Sequence, residues 1–382
     1  MYKRKQVFLG RGHESCFLWG ARQAGKSTLL KSLFPDSPRY DLLLSDEYRR
    51  LSTRPALLRE ELLARPPGAR PVVIDEVQKI PGLLDEVQWL AVNHRVQFIL
   101  CGSSARKLKR GGANLLGGRA LRYELFPLVH PEIPEFDLLR ALNNGLIPRH
   151  YQAEHPRGLL EAYVGDYLKE EIAAEALTRN IPAFGRFLET AAFSNGEIVN
   201  YQNIAAECGV SAPTVKQYFQ ILEDTLIGRM VPSFQKRPKR RVIMAPRFYY
   251  FDVGLASFLL KRGKVAPRSE AFGKAFEHFI YQELTAHSHY SGLHYPIAYW
   301  RTASQLEVDF ILGDHEVAVE VKGSEQVAAH HLTGLKAFRE EYKTKYSIVV
   351  SLDAKPRIID GITILPWQSF LRKLWAGEIV SA

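Results

Sequence analysis

An α/β protein is predicted, with a parallel sheet at the N-terminal end, a helical stretch after it and a smaller α/β region last. Three observations lead there. Residues 1 to about 150 alternate short apolar runs with helix-compatible stretches. Residues from about 151 to 265 read mostly as amphipathic helix, and from about 266 a helix, several strands and a further helix follow. Strands that alternate with helices form parallel sheets covered on both faces, and such strands are continuously apolar.

The elements follow in order. CFLW (16–19), YDLLL (40–44), VVIDE (72–76), FILCG (98–102) and LRYELF (121–126) are the strands of the first region. LLEAYVGDYLKEEIAAEAL opens the helical stretch, and QKRPKRR (235–241) is a charged, proline-interrupted loop within it. AFGKAFEHFIYQEL is a helix, IAYWR, LEVDFIL and VAVEVK are strands, LTGLKAFREEY is a helix and YSIVVS a strand. A chain of 382 residues exceeds the usual ~100–200 per domain. Three domains are therefore drawn: 1–150, 151–265 and 266–382.

Composition narrows the class. Hydrophobic residues make up 46% and charged residues 24%, values of a globular chain with real cores. No apolar run is long enough to span a membrane, and the basic N-terminus lacks the apolar stretch of a signal peptide. Cys16, Cys101 and Cys208 lie far apart without metal-ligand spacing, so they are expected to be buried free thiols in a cytoplasmic protein. The net charge of +10 favours polyanion partners, nucleic acid first.

GARQAGKS (20–27) matches G-x-x-x-x-G-K-[ST] at every fixed position, with an apolar run before it and a helix-compatible run after it. Gly20 and Gly25 let the backbone wrap phosphates, and Ala21, Arg22, Gln23, Ala24 and Thr28 complete the cradle. Lys26 brings a charge to the β and γ phosphates of ATP, and the Ser27 hydroxyl ligates Mg²⁺. VVIDE delivers Asp75 to the end of its strand, where it can hold Mg²⁺ through water, and Glu76 as the general base for the attacking water. Ser103, with Ser104, either senses the γ-phosphate or caps a turn. Arg119 is the candidate arginine finger acting on a neighbouring copy, with Arg106, Arg122 and Arg149 as competitors.

Residues 197–232 read as a helix-turn-helix. YQNIAAEC is followed by Gly209-Val210-Ser211 and by PTVKQYFQILED, in which Val215, Phe219 and Leu222 share a face. Thr214, Lys216 and Gln217 are left to meet a groove, and Lys236, Arg237, Lys239, Arg240 and Arg241 to meet phosphates. A rigid spacer or a protein-binding module is the alternative.

LEVDFILGDHEVAVEVK reads as a hairpin. Alternation puts Val308, Phe310 and Leu312 on one face and Asp309 on the other, with Glu320 and Lys322 on the matching face of the return strand. Asp309 and Glu320 become cross-strand neighbours. Facing no cation, they would repel unless a divalent ion lay between them. Glu277 could complete that site, and Lys322 could act on its water. The alternative is a plain polar sheet face.

These segments, together with LLGGRA, LLEAYVGDYLKEEI and FYYFDVGLASFLL, resemble prokaryotic AAA-type ATPases that carry a C-terminal domain of unknown function (DUF4143-like). The closing EVDF…AVEVK looks like the PD-(D/E)xK restriction-endonuclease-like fold, although Val308 stands where that signature has proline. The resemblance implies an AAA-type ATPase domain, a winged helix-turn-helix and a nuclease-like domain, assembled as a homo-oligomeric ring such as a hexamer. It also implies a motor that remodels or translocates on duplex or branched DNA of the Holliday-junction kind. An ATP-gated nuclease of repair or defence and a nucleotide-dependent signalling switch remain alternatives.

Overall fold

The computed structural model describes residues 2–8, 14–65, 70–104, 116–118, 120–168, 180–236, 239–261 and 263–381, the side chains of 166–168 excepted. Two compact units form. One comprises Arg4–Pro127 with Asp224–Ile227, the other Met1–Lys3, Leu128–Glu223 and Gly228–Ala382. By contacts the first unit closes at Pro127, and the stretches drawn from the sequence as 151–265 and 266–382 lie mostly together in the other.

The first unit is built on β1 (Ser15–Trp19), β2 (Arg39–Asp41), β3 (Val72–Asp75), β4 (Phe98–Gly102) and β5 (Ala120–Glu124). All neighbours are parallel, in the order β2-β3-β4-β1-β5. Phe17, Trp19, Tyr40, Ile74, Phe98 and Leu100 pack with Leu83, Val87 and Leu90 of the helix Leu83–His94. Each such side chain stabilises the unit by about 1.5–3 kcal/mol on burial. The order matters for function, because β4 separates β3 from β1 and the carboxyl ends of all three lie side by side. The YDLLL strand stops at Asp41, whose Oδ1 accepts a hydrogen bond from Leu43 N at 3.0 Å and turns the chain. Leu43 and Leu44 are consequently exposed.

In the second unit the helices Ile181–Phe193, Tyr201–Cys208 and Ala212–Asp224 precede an antiparallel pair, β6 (Gly228–Val231) and β7 (Arg247–Tyr250). The helix Glu270–Tyr290 leads into β8 (Ile297–Arg301), β9 (Glu307–Leu312), β10 (Val317–Val321), β11 (Tyr346–Ser351), β12 (Arg357–Ile359) and β13 (Ile362–Pro366). The strands stand in the order β12-β13-β11-β10-β9-β8. Phe276 and Phe279 of the long helix and Phe370 and Leu371 of the helix Trp367–Trp375 cover one face, over Phe310, Val319 and Ile348. Leu335 and Phe338 of the helix Thr333–Glu341 cover the other, over Val308, Ile311 and Ala318. Cys16, Cys101 and Cys208 are buried free thiols. Among the described residues no helix is long and apolar enough to cross a membrane.

Candidate functional site

The loop after β1 is shaped by its glycines. Gly25 has φ 97°, a left-handed conformation that strains any other residue, and it caps the helix Lys26–Leu33. A Cβ on Gly20 would come within 2.5 Å of the Leu125 carbonyl oxygen, so sheet packing as well as phosphate access demands glycine there. Ala21 and Ala24 are buried, while Arg22, Gln23 and Thr28 are exposed. Lys26 is buried, and its Nζ donates to the carbonyls of Gly20 (2.8 Å) and Ala21 (3.1 Å). Ser27 Oγ donates to Asp75 Oδ2 at 2.6 Å, which brings the two Mg²⁺-ligand candidates into contact across 48 residues of sequence.

Glu76 sits just past β3 with φ 56°, a strained conformation for a residue with a side chain. Its Oε2 accepts a hydrogen bond from Gln78 Nε2 and another from Ser103 Oγ at 3.4 Å, and Gln78 Nε2 also reaches Ser103 Oγ at 3.1 Å. The serine at the end of β4 therefore touches the general-base candidate. Gln78 was not singled out in the sequence. It is buried and fits because residue 102 is glycine, where a Cβ would lie 2.3 Å from Gln78 Oε1. The only signal was its place two residues after the acidic pair. Arg4 also went unnoticed: Nη1 donates to Ala24 O and Nη2 to Phe126 O, both at 2.6 Å, tying the phosphate loop to the segment after β5. Arg119 and Arg106 lie outside the described residues; Arg122 is on β5 and exposed, and Arg149 is in the second unit.

These residues fit Mg²⁺–ATP. Ser27 and Asp75 would hold the metal, with the remaining ligands from phosphate and water, and the loop amides and Lys26 would hold the phosphates. The bound ion would neutralise charge between the β and γ phosphates.

Two helices, Tyr201–Cys208 and Ala212–Asp224, form in the segment read as a helix-turn-helix. Asn200 caps the first helix through Gln202 N and Asn203 N, both at 3.1 Å, and Gly209 closes it at φ 66°. Ser211 Oγ accepts from Thr214 N at 3.3 Å and begins the second helix. Val215, Phe219 and Leu222 are buried, Lys216 and Gln217 exposed, and Thr214 half-buried. The basic loop behaves differently from a projecting wing. Phe234 N donates to Tyr299 O (2.7 Å) and Ile243 N to Arg301 O (2.9 Å), so the segment lies along β8, the edge strand. Lys236 pairs with Asp314, and Arg240 with Glu340 and Glu341. Lys239 and Arg241 are exposed, and Arg237 lies outside the described residues.

The C-terminal carboxylates assemble, with two corrections. β9 and β10 pair with Leu312 opposite Val317 and Phe310 opposite Val319, and Asp309 and Glu320 follow that last pair, with Asp309 Oδ2 accepting from Val321 N at 2.8 Å. Alternation fails at Asp309, however. Between the pairs Ala298–Ile311 and Trp300–Val308, β9 carries Asp309 and Phe310 where β8 carries Tyr299 alone. This bulge sends Val308 to the face of Ile311, away from Phe310 and Leu312. The second correction concerns charge. The carboxylates do face cations: Lys322 Nζ lies 2.5 Å from Glu320 Oε1, and Arg247 Nη1 lies 3.5 Å from Glu277 Oε1 and 3.7 Å from Asp309 Oδ1. Burial and the Asp309 charge push the Glu277 carboxyl up to about 7 and the Glu320 carboxyl up to about 8. Among the described residues no three His, Cys, Asp or Glu side chains are grouped to hold a metal ion.

Fold and site together define an α/β chain: a parallel sheet carrying a phosphate-binding loop, then helices, then a C-terminal sheet. Residues 12–133 match the family model of the AAA domain, 135–265 that of a domain of unknown function (DUF8612) and 272–370 that of a domain of unknown function (DUF4143). An uncharacterised protein of Haemophilus influenzae is 21% identical over 314 residues, which cover 77% of this chain and 75% of that protein. The solved structure of Aeropyrum pernix ORC1 protein in complex with DNA aligns with 65% of this chain and 86% of its own, at 13% identity and a TM-score of 0.24.

Proposed function

We propose that this AAA-type ATPase binds DNA and uses ATP hydrolysis to remodel or move along it, as a ring of identical copies acting on duplex or branched substrates. The observation that carries this reading is the contact of Ser27 with Asp75 and of Ser103 with Glu76 beside the phosphate-loop sequence, in the same chain as two successive helices that leave Lys216 and Gln217 exposed. The net charge of +10 supports it.

In the hydrolytic site each residue has one task. Lys26 exchanges its two loop carbonyls for phosphate oxygens. Asp75 and Ser27 orient the metal side of the substrate. Glu76 takes a proton from the attacking water, and Gln78 and Ser103 hold its carboxylate in place. The second unit reads as a winged helix followed, over 266–382, by a PD-(D/E)xK-like sheet that holds DNA without cutting it. A nuclease reading is favoured by the meeting of Asp309, Glu320 and Lys322, and disfavoured by Arg247 among them.

The test is steady-state ATPase rate against duplex, single-stranded and four-way DNA at low salt. Stimulation by one of these supports a DNA motor. A rate indifferent to all three, with no DNA bound, rejects it in favour of a switch acting on protein. Mg²⁺- or Mn²⁺-dependent cutting that disappears in Asp309→Ala establishes the nuclease instead.

A further inference from the structure

We propose that Arg247 is the resident cation of the acidic site on β9 and β10, standing where a PD-(D/E)xK-like arrangement would hold a divalent metal. The site then fastens the β6–β7 pair to the C-terminal sheet and takes no metal ion. Only the expectation of a metal rests on the PD-(D/E)xK reading.

The geometry is specific. The Arg247 side chain is 3% exposed and lies within ion-pair reach of Glu277 on the long helix and of Glu307 and Asp309 on β9. Its guanidinium carbon stands 4.7 Å from the Tyr299 ring centre, beside the bulge that re-aims Asp309. A planar, permanently charged fork suits several carboxylates at once, and the Tyr249 phenol with the Glu277 and Asp309 carboxylates outweighs the cost of its burial, so its proton is held more tightly than usual.

One oxygen of each carboxylate is already committed: Asp309 Oδ2 accepts from Val321 N at 2.8 Å, Glu277 Oε1 accepts from Tyr249 Oη at 2.5 Å, and Glu320 Oε1 is paired with Lys322, while Glu320 Oε2 is buried without a hydrogen-bond partner. Mg²⁺ demands near-octahedral oxygen ligands and keeps its waters, and it would be repelled by both cations. With Arg247 and Lys322 among the carboxylates, the charge of the site therefore does not fit a divalent ion. Arg247 begins β7, so the bond that fills the site also holds the strand on which the helix-turn-helix closes.

Mn²⁺ binding to the nucleotide-free full chain, followed by the paramagnetic signal of free Mn²⁺, tests this. Every protein carries Asp75→Asn to silence the nucleotide site. The parent should bind no Mn²⁺ through Asp309, and Asp309→Asn should be indistinguishable from it. Arg247→Met should gain one site at least about tenfold tighter than any in the parent, and adding Asp309→Asn should remove it. Arg247→Lys should behave like the parent. Asp309-dependent Mn²⁺ binding in the parent overturns the proposal, as does a folded Arg247→Met protein that gains no site. If Arg247→Met folds only with Mn²⁺ present, the proposal is supported. If it fails to fold at all, the comparison of parent with Asp309→Asn decides. DNA-stimulated ATPase is a separate readout, so failure here leaves the motor reading untouched.

Discussion

Glu76 and Lys26 carry opposite burdens in the same site, and their variants should separate. Lys26 is buried with its ammonium satisfied by two carbonyls, so Lys26→Ala should lose nucleotide affinity itself. Glu76→Gln keeps the shape but cannot accept a proton. It should bind ATP normally and turn over about 10²–10⁴-fold more slowly. Gln78→Ala leaves the base in place but unsupported, and should lower kcat by about tenfold with little change in KM. Nucleotide binding and steady-state kinetics check all three; unchanged turnover in Glu76→Gln would remove the general base from that position. A second residue-scale prediction concerns Glu283, whose carboxyl burial pushes up to about 8 although His130 N and Trp375 Nε1 donate to it. The folded protein holds this proton where the unfolded chain has released it. Its contribution to stability is therefore full below the ordinary glutamate range and falls as pH rises through about 8. Glu283→Gln should flatten the pH dependence of the unfolding midpoint between those limits, whatever its absolute stability. A slope equal to the parent's would mean that Glu283 is ionised in the fold.

At the scale of the element, the basic loop divides into cations held by the fold and cations offered to solvent. Arg240 reaches Glu341, a carboxylate with 1% of its side chain exposed, so Arg240→Ala should lower the melting temperature by removing its charge partner and leaving it the Lys239 N–H, at 2.9 Å. Lys239→Ala, Arg241→Ala and Lys216→Ala should leave the melting temperature alone and weaken DNA binding across sequences, each reducing the salt slope by about 1. Thermal unfolding beside salt-titrated DNA affinity decides; an Arg240→Ala protein with parental stability and weakened binding would place Arg240 on phosphate. These elements also show what a sequence can and cannot reveal. The strands of the first sheet were legible because buried parallel strands are continuous apolar runs, and the phosphate loop because its glycines have no substitute. The β12–β13 hairpin was legible and missed: Asp360-Gly361, both at positive φ, is a two-residue turn signal. The bulge at Asp309 was not legible, since alternation alone fixes parity and a bulge breaks it. Arg247 was hidden for another reason, because its partners Glu277, Glu307 and Asp309 lie 30 or more residues downstream and only the fold brings them together.

At the scale of the whole molecule, the hydrolytic site poses a question of assembly. Phosphoryl transfer spreads charge over the γ-phosphate oxygens, and related active sites add an arginine to the lysine and metal. If Arg119 acts on the neighbouring copy, each working interface needs an intact Glu76 from one copy and an intact Arg119 from the next. Arg119→Ala should then bind ATP with parental affinity and hydrolyse it about 10³-fold more slowly. Glu76→Gln should be as slow for its own reason. Mixed in equal amounts, the two inactive proteins should recover up to about one quarter of parental activity. In a ring of head-to-tail interfaces, about one in four pairs an Arg119→Ala copy supplying Glu76 with a Glu76→Gln copy supplying Arg119. Recovery should require protein concentrations at which light scattering shows an oligomer, and should vanish on dilution below them. Two inactive proteins that stay inactive on mixing, at concentrations where they co-assemble, would put Arg119 in its own copy's site. Full activity of Arg119→Ala alone would give the role to another arginine or leave a monomeric enzyme.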